Sequence, residues 1–230
     1  MRKIGLGGLL ILLLTGWPLT AARAGGCPAV PGLAPPRLEF QLLAPRMRLH
    51  HDVDLFGLPR VADHMERPPR GWALQGLTVA RARLTLTARW RQMALPGGGG
   101  VCVWLDSVKA VMGVPEQQVY IAADYPAGSC EYNAILRHER LHVGINARTT
   151  AAFAAPMRTL LWQTILDNRP LLIRRDHVDP ATVIGRLQDG VRPELARLQS
   201  VLRVRNGVID TPEAYRRQQL QAGCHRWRMR

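Results

Sequence analysis

The longest proline-free stretch of this chain lies between Pro126 and Pro156, in a sequence that carries 17 prolines. Within it, residues 129 to 155 read as one helix. Ser129 is a good N-cap, and Glu131 falls in the first turn, where a negative charge suits the helix dipole. Ile135, His138, His142, Ile145 and Thr149 recur at three- and four-residue spacing, so they share one inward face. Gly144 weakens the helix only slightly. Any fold for this chain must place that long helix against something apolar.

The same face carries His138-Glu139-Arg140-Leu141-His142, a His-Glu-x-x-His pattern. Residues four apart on a helix stand one above the other, so both imidazoles can reach one metal ion. Glu139 lies one step round, where a carboxylate can take a proton from water on that metal. A helix whose histidines merely pack is the plainer alternative.

The first 24 residues read as an export signal. Arg2 and Lys3 precede an apolar run from Ile4 to Leu14, and Ala22-Arg23-Ala24 is a small-x-small cleavage site. The run is shorter than the roughly 20 apolar residues a spanning helix needs. Arg23, and the lack of Leu or Val three residues before Cys27, argue against a lipidated cysteine. Export predicts a periplasmic or secreted protein, with no transmembrane segment after cleavage. Four cysteines in an oxidising space predict two disulfides. Three pairings are possible. Cys102 with Cys130, and Cys27 with Cys224, is the favoured reading. No Cys-x-x-Cys spacing supports a cysteine metal site.

The chain has a formal charge of +14, which loss of Arg2, Lys3 and Arg23 would reduce to +11. Its arginines are scattered and no nucleic-acid motif accompanies them, so no nucleic-acid partner is expected. Residues 25–37 are a Pro- and Gly-rich lead-in, and 38–230 form a single domain with a sizeable core.

Within that domain, Leu38–Leu43 reads as a strand and residues 44–75 as irregular. The clusters His50-His51-Asp52 and Asp63-His64-Met65-Glu66 fall there. Leu84, Leu86 and Ala88 alternate with Thr85, Thr87 and Arg89, a half-buried strand. Val101–Met112 is apolar enough to be central, and Gln118–Ala123 is a further strand. Beyond the motif helix, Met157–Leu166 reads as a kinked or second helix after Pro156. Asp179-Pro180 opens a helix to about Arg205, bent or split near Gly190 and Pro193. Thr211-Pro212-Glu213 opens a last one ending at Gly223. The fold class is α+β: an antiparallel β-meander, then a helical C-terminal half carrying the motif.

The order of strand, turn and His-Glu-x-x-His helix over residues 101–155 resembles the zincin metallopeptidases, in particular small exported bacterial proteins described as zinc-dependent proteases. The resemblance implies that His138 and His142 bind Zn²⁺ and that Glu139 is general base and acid. It implies a peptide, protein or cell-wall peptide as substrate, with the Gln118–Ala123 strand bordering the cleft. The chain departs from the metzincin branch, since Ile145 stands in the glycine place and Arg148 in the histidine place.

A catalytic zinc needs a third protein ligand. Glu194, Asp167, Asp176, His177 and an upstream histidine are the open candidates. Glu213 and Asp179 are better explained by helix starts. The rival from another class is a non-catalytic exported binding protein, with a basic surface for an anionic polymer and a structural motif helix.

Overall fold

The computed structural model describes residues 26–62, 74–175 and 177–224. The segment read as an export signal, the Asp63–Glu66 cluster and Asp176 lie outside them. Among the described residues, no helix is long and apolar enough to cross a membrane.

The fold is α+β, with strands first and a helical C-terminal half. Strands β1 (Arg37–Leu42), β2 (Arg46–His50), β3 (Gly76–Val79), β4 (Arg83–Ala94), β5 (Val101–Gly113) and β6 (Glu116–Ile121) precede the long helix. A short helix α1 (Leu58–Val61) sits between β2 and β3. Long helices α2 (Cys130–Asp167) and α3 (Pro180–Gly207) follow, with β7 (Leu171–Ile173) between them and α4 (Pro212–Ala222) last.

The strands make two sheets rather than one meander. β4 and β5 form the antiparallel hairpin the alternation predicts. β1, however, lies parallel to β5 on its other side, and β7 also pairs with β5. The second sheet runs β2-β6-β3, with β2 parallel to β6. The chain leaves β5 at Gly113 and enters β6 at Glu116, while β1 and β2 run alongside the same path. Leu43 N donates to Met112 O at 2.8 Å and Arg46 N to Pro115 O at 3.3 Å, bridging the two sheets. β2 and β3 fall on residues that read as loop or went unassigned, because each is a short strand supported by β6 rather than by its own pattern.

β5 is central and buried over most of its length, as its composition predicts. Leu86 of β4 faces the core while Thr85, Thr87 and Arg89 face water. Against this sheet pack Phe153, Met157, Leu161 and Ile165 of α2 and Val183, Leu187, Val191 and Leu198 of α3.

Ser129 caps α2 by accepting from Tyr132 N at 3.1 Å. Of the two readings for Met157–Leu166, continuation of the same helix holds: α2 passes through Pro156 to Asp167. A proline inside a helix removes one hydrogen bond and costs about 3 kcal/mol. The buried side chains on both sides of Pro156 outweigh that. α3 likewise continues through Pro193. Gly190 does not split it but lets α3 approach α2. A β-carbon there would lie 2.4 Å from Thr164 Cγ2.

The two disulfides exist, but the pairing differs from the favoured one: Cys27 joins Cys102 and Cys130 joins Cys224. Cys102 is buried on β5, on the face opposite Val101 and Val103, and its bridge ties the lead-in to that strand. Cys130 opens α2, beside the end of α4. The second bridge therefore ties α4 across the start of the motif helix. Disulfides of this kind form and persist in oxidising, extracytoplasmic compartments.

Candidate metal centre

Helix geometry puts His138 and His142 on the inward face of α2, 3 % and 8 % exposed. Their Nε2 atoms lie 3.1 Å apart. The turn between α3 and α4 brings in Asp210, whose Oδ1 sits 3.0 Å from His138 Nε2 and 3.1 Å from His142 Nε2. Asp210 is half-exposed, so the cluster reaches solvent on that side.

The outer nitrogens settle the tautomers. Gln218 of α4 donates its Nε2 to Ala134 O at 2.7 Å, which leaves its Oε1 facing His138 Nδ1 at 2.9 Å. Asn206 donates its Nδ2 to Leu202 O at 2.8 Å, which leaves its Oδ1 facing His142 Nδ1 at 2.8 Å. Each Nδ1 must therefore be the protonated donor. In the neutral rings both Nε2 atoms then carry lone pairs, and both point at a carboxylate oxygen.

Three electron-pair donors facing one another at 3.0–3.1 Å repel unless a cation sits among them. Their spacing suits a small tetrahedral ion, whose ligands at about 2.0 Å stand roughly 3.3 Å apart. Together they form a group that could hold a metal ion. Without one, a proton must serve. Burial pushes the His142 pKa down, but the hydrogen bond to Asp210 and the charges of Asp210 and Glu139 raise it on balance. The same imidazoles hold the Asp210 carboxyl well below the usual range, against the effect of burial.

Glu139 is 2 % exposed. Thr78 of β3 donates its hydroxyl to Glu139 Oε2 at 2.6 Å. Burial raises the Glu139 pKa, although His142, His138 and Thr78 pull it down. β3 comes this close because Gly76 has no side chain. A β-carbon there would lie 2.5 Å from Glu139 Oε1 and 2.5 Å from Ile135 Cγ2. The strand bordering the site is thus the edge strand β3, not Gln118–Ala123, which corresponds to β6 in the middle of its sheet.

On the opposite side stands α4. The Tyr215 ring stacks on His138 with centroids 4.6 Å apart, and its hydroxyl donates to Asp210 Oδ1 at 3.2 Å. Burial, then the nearby carboxylates of Asp210 and Glu139, raise the Tyr215 pKa, so it stays a donor. Gln75, Gly76, Ile135, Tyr215 and Gln218 wall a crevice over His138 and Glu139 of only about 10 Å³.

Among the described residues the third donor is Asp210, which was not among the candidates read from sequence; Asp176 and His64 lie outside the described residues. Glu194 is held by Arg197, with contacts of 2.9 and 2.7 Å. Asp167 ends α2 and is about 40 Å from the histidines along a continuous helix at 1.5 Å per residue. His177 is exposed just before α3. His50 bonds Gln118 and stacks on Tyr120, and His51 bonds Tyr125 O at 2.9 Å. Asp210, Tyr215 and Gln218 were hidden because 68 to 84 residues separate them from their partners on α2. One usable signal was Cys224, whose bond to Cys130 delivers α4 to the start of α2. No protein-family model, curated protein or solved structure matches this chain.

Proposed function

We propose that this chain is an exported, periplasmic or secreted, zinc-dependent hydrolase of the zincin kind, acting on peptide bonds. The observation that carries the reading is the convergence of two Nε2 lone pairs and the Asp210 carboxylate beside a buried carboxylate. Two histidines and one acid form the ligand set of many hydrolytic zinc sites, which leave one position open for water. Zinc held there would acidify a water molecule and polarise a substrate carbonyl.

The chain's own residues divide the remaining work. His138, His142 and Asp210 hold the ion. Gln218 and Asn206 keep both rings oriented. Glu139, its pKa raised by burial and its far oxygen held by Thr78, accepts a proton and passes it to the leaving amine. Tyr215 donates to Asp210 and shields one face of His138.

A second reading has one observation in its favour. A crevice of about 10 Å³ holds at most about one water. With α4 in this position the ion would brace α2, α3 and α4 without reaching a peptide. A bound metal in a non-catalytic envelope protein would look the same.

Metal analysis combined with Glu139→Gln separates these readings. The hydrolase should carry near one zinc per chain, cleave an unstructured protein or a cell-wall peptide, and lose about 10²–10⁴-fold of that rate in Glu139→Gln with its zinc retained. Unchanged hydrolysis in the variant would sink the assignment. Zinc without any hydrolysis by the parent protein would favour the bracing role.

A further inference from the structure

Asn206 is not the end of the chain of amides behind His142. Its Nδ2 also donates to Asn146 Oδ1 at 2.9 Å. Asn146 in turn donates its Nδ2 to Gln117 Oε1 at 2.9 Å. Gln117 donates its Nε2 to Val143 O at 3.4 Å. The series starts and finishes on adjacent residues of α2, passing through β6 and α3 between. Gln117 is fully buried and Asn146 is 5 % exposed. Burying amides is unfavourable unless every donor and acceptor is matched, and here each one named has a partner.

The bonds all point one way. If Asn206 turned over, its amide nitrogen would face His142 Nδ1, and the ring would have to carry its proton on Nε2. That proton would aim at Asp210 and His138, and the metal-ligating lone pair would be gone. Turning Asn206 also sets its oxygen against Leu202 O. It then forces Asn146 to turn, which forces Gln117 to turn, which sets Gln117 Oε1 against Val143 O. Backbone carbonyls can only accept. The direction is therefore locked at two points, Leu202 and Val143.

We propose that Gln117 and Asn146 are positioning residues for the metal centre: through Asn206 they fix the proton of His142 on Nδ1 and hold its Nε2 lone pair toward Asp210. This rests on His138, His142 and Asp210 being a metal site, and not on the site being hydrolytic.

The test begins with the metal-free parent protein. Nitrogen NMR of the imidazoles, read at a pH where His142 is neutral, should show that ring protonated on Nδ1, and a neutral ring protonated on Nε2 would overturn the proposal outright. Gln117→Met keeps the volume but ends the series early. It should remain folded by circular dichroism, let an Nε2–H tautomer of the neutral His142 ring appear, and weaken zinc binding by several-fold. Asn206→Leu should weaken zinc by about 10–100-fold, as loss of a ligand's supporting partner does. The Gln117→Met/Asn206→Leu double variant should bind zinc no more weakly than Asn206→Leu alone, since Gln117 acts only through Asn206. Additive losses would mean that Gln117 matters only for general packing, and would overturn the proposal. Wild-type tautomer and zinc affinity in a folded Gln117→Met would do the same. Should Gln117→Met fail to fold, Asn146→Leu takes its place, with the same two readouts. None of these measurements involves hydrolysis, so a zinc protein that cleaves nothing would remove the proposed function and leave this inference standing.

Discussion

The two halves of α2 share one inward stripe and use it in opposite ways. Before Pro156 the buried positions include His138, Glu139, His142, Asn146, Thr149 and Thr150. Around and after it they include Phe153, Met157, Leu161 and Ile165. The second half lies in the main core between the β4–β5 sheet and α3. The first half meets the small second sheet, the end of α3 and α4, and its polar groups find polar partners there, except the buried Thr150 hydroxyl, which has none among the described residues. Thr164, a polar residue buried in the second half, satisfies its hydroxyl within the helix by bonding Leu160 O at 2.9 Å. The difference teaches that one helix can be anchored by its far end so that its near end can carry buried polar chemistry that is unfavourable by itself. The hydrophobic half holds the helix in place, and the polar half is held in register by hydrogen bonds together with the Tyr215 stack on His138 and the Cys130–Cys224 bridge.

The largest expected effect comes from deleting a ligand in the polar half. His138→Ala should take the zinc content from near one per chain to none, by metal analysis, while the far-UV spectrum stays that of a folded protein. The apolar half should hold α2 without the imidazole. Collapse of the fold in His138→Ala without metal would break the comparison, because it would show that the polar half also anchors.

The converse variant is Leu161→Ala. Leu161 is completely buried, and such truncations cost about 2–5 kcal/mol. Chemical denaturation should show that loss, with zinc stoichiometry of the folded fraction unchanged. Loss of zinc affinity alongside stability would mean the two halves are coupled more tightly than their separate partners suggest.

The division of α2 was only half legible in the sequence. Helix formation, the Ser129 cap and the inward position of both histidines follow from spacing and local chemistry, all within a few residues. Asn146, rather than Ile145, takes the next buried position, because the stripe continues four residues after His142. The sequence left open whether Pro156 kinks one helix or starts a second, and the choice could not be made locally, since the compensating contacts come from β5 and α3. The third donor was invisible for a related reason. Asp210 sits just before the N-cap Thr211, in a turn that reads as an ordinary junction between helices. Nothing local marks it, and only the path of α3 back along α2 brings it home. The same holds for Gly76 and Thr78, on a strand of four residues whose place is set by pairing with β6.

Gly76→Ala probes the closeness of β3 to the polar half. The added carbon would come within 2.5 Å of Glu139 Oε1, so the carboxylate or the strand must shift. A displacement on the order of 1 Å can cost about 10² in rate. Zinc content should be unaffected, since none of the three donors touches Gly76. Hydrolysis at the parent rate would show that Glu139 does not need its present position.

The smallest effect is a difference in sign between the metal-free and zinc-loaded proteins. In the metal-free protein the His142 pKa is raised above 6.5: burial opposes this, but the Asp210 hydrogen bond and charge prevail. The folded state then binds this proton more tightly than the unfolded chain does. The resulting stability is fully present below the unfolded value of 6.5 and is lost as pH rises through the higher folded value. Glu139, also raised, adds a loss of the same sign in a lower window that begins at 4.5. Zinc competes with the His142 proton, so its affinity should improve by up to about tenfold per pH unit until that proton is gone. Thermal melts across the range just above pH 6.5 should therefore fall with pH for the metal-free protein and rise with pH at fixed zinc. Parallel curves would mean that no proton occupies the place between His142 and Asp210, and the polar half of α2 would then need another account of how its facing lone pairs are kept together.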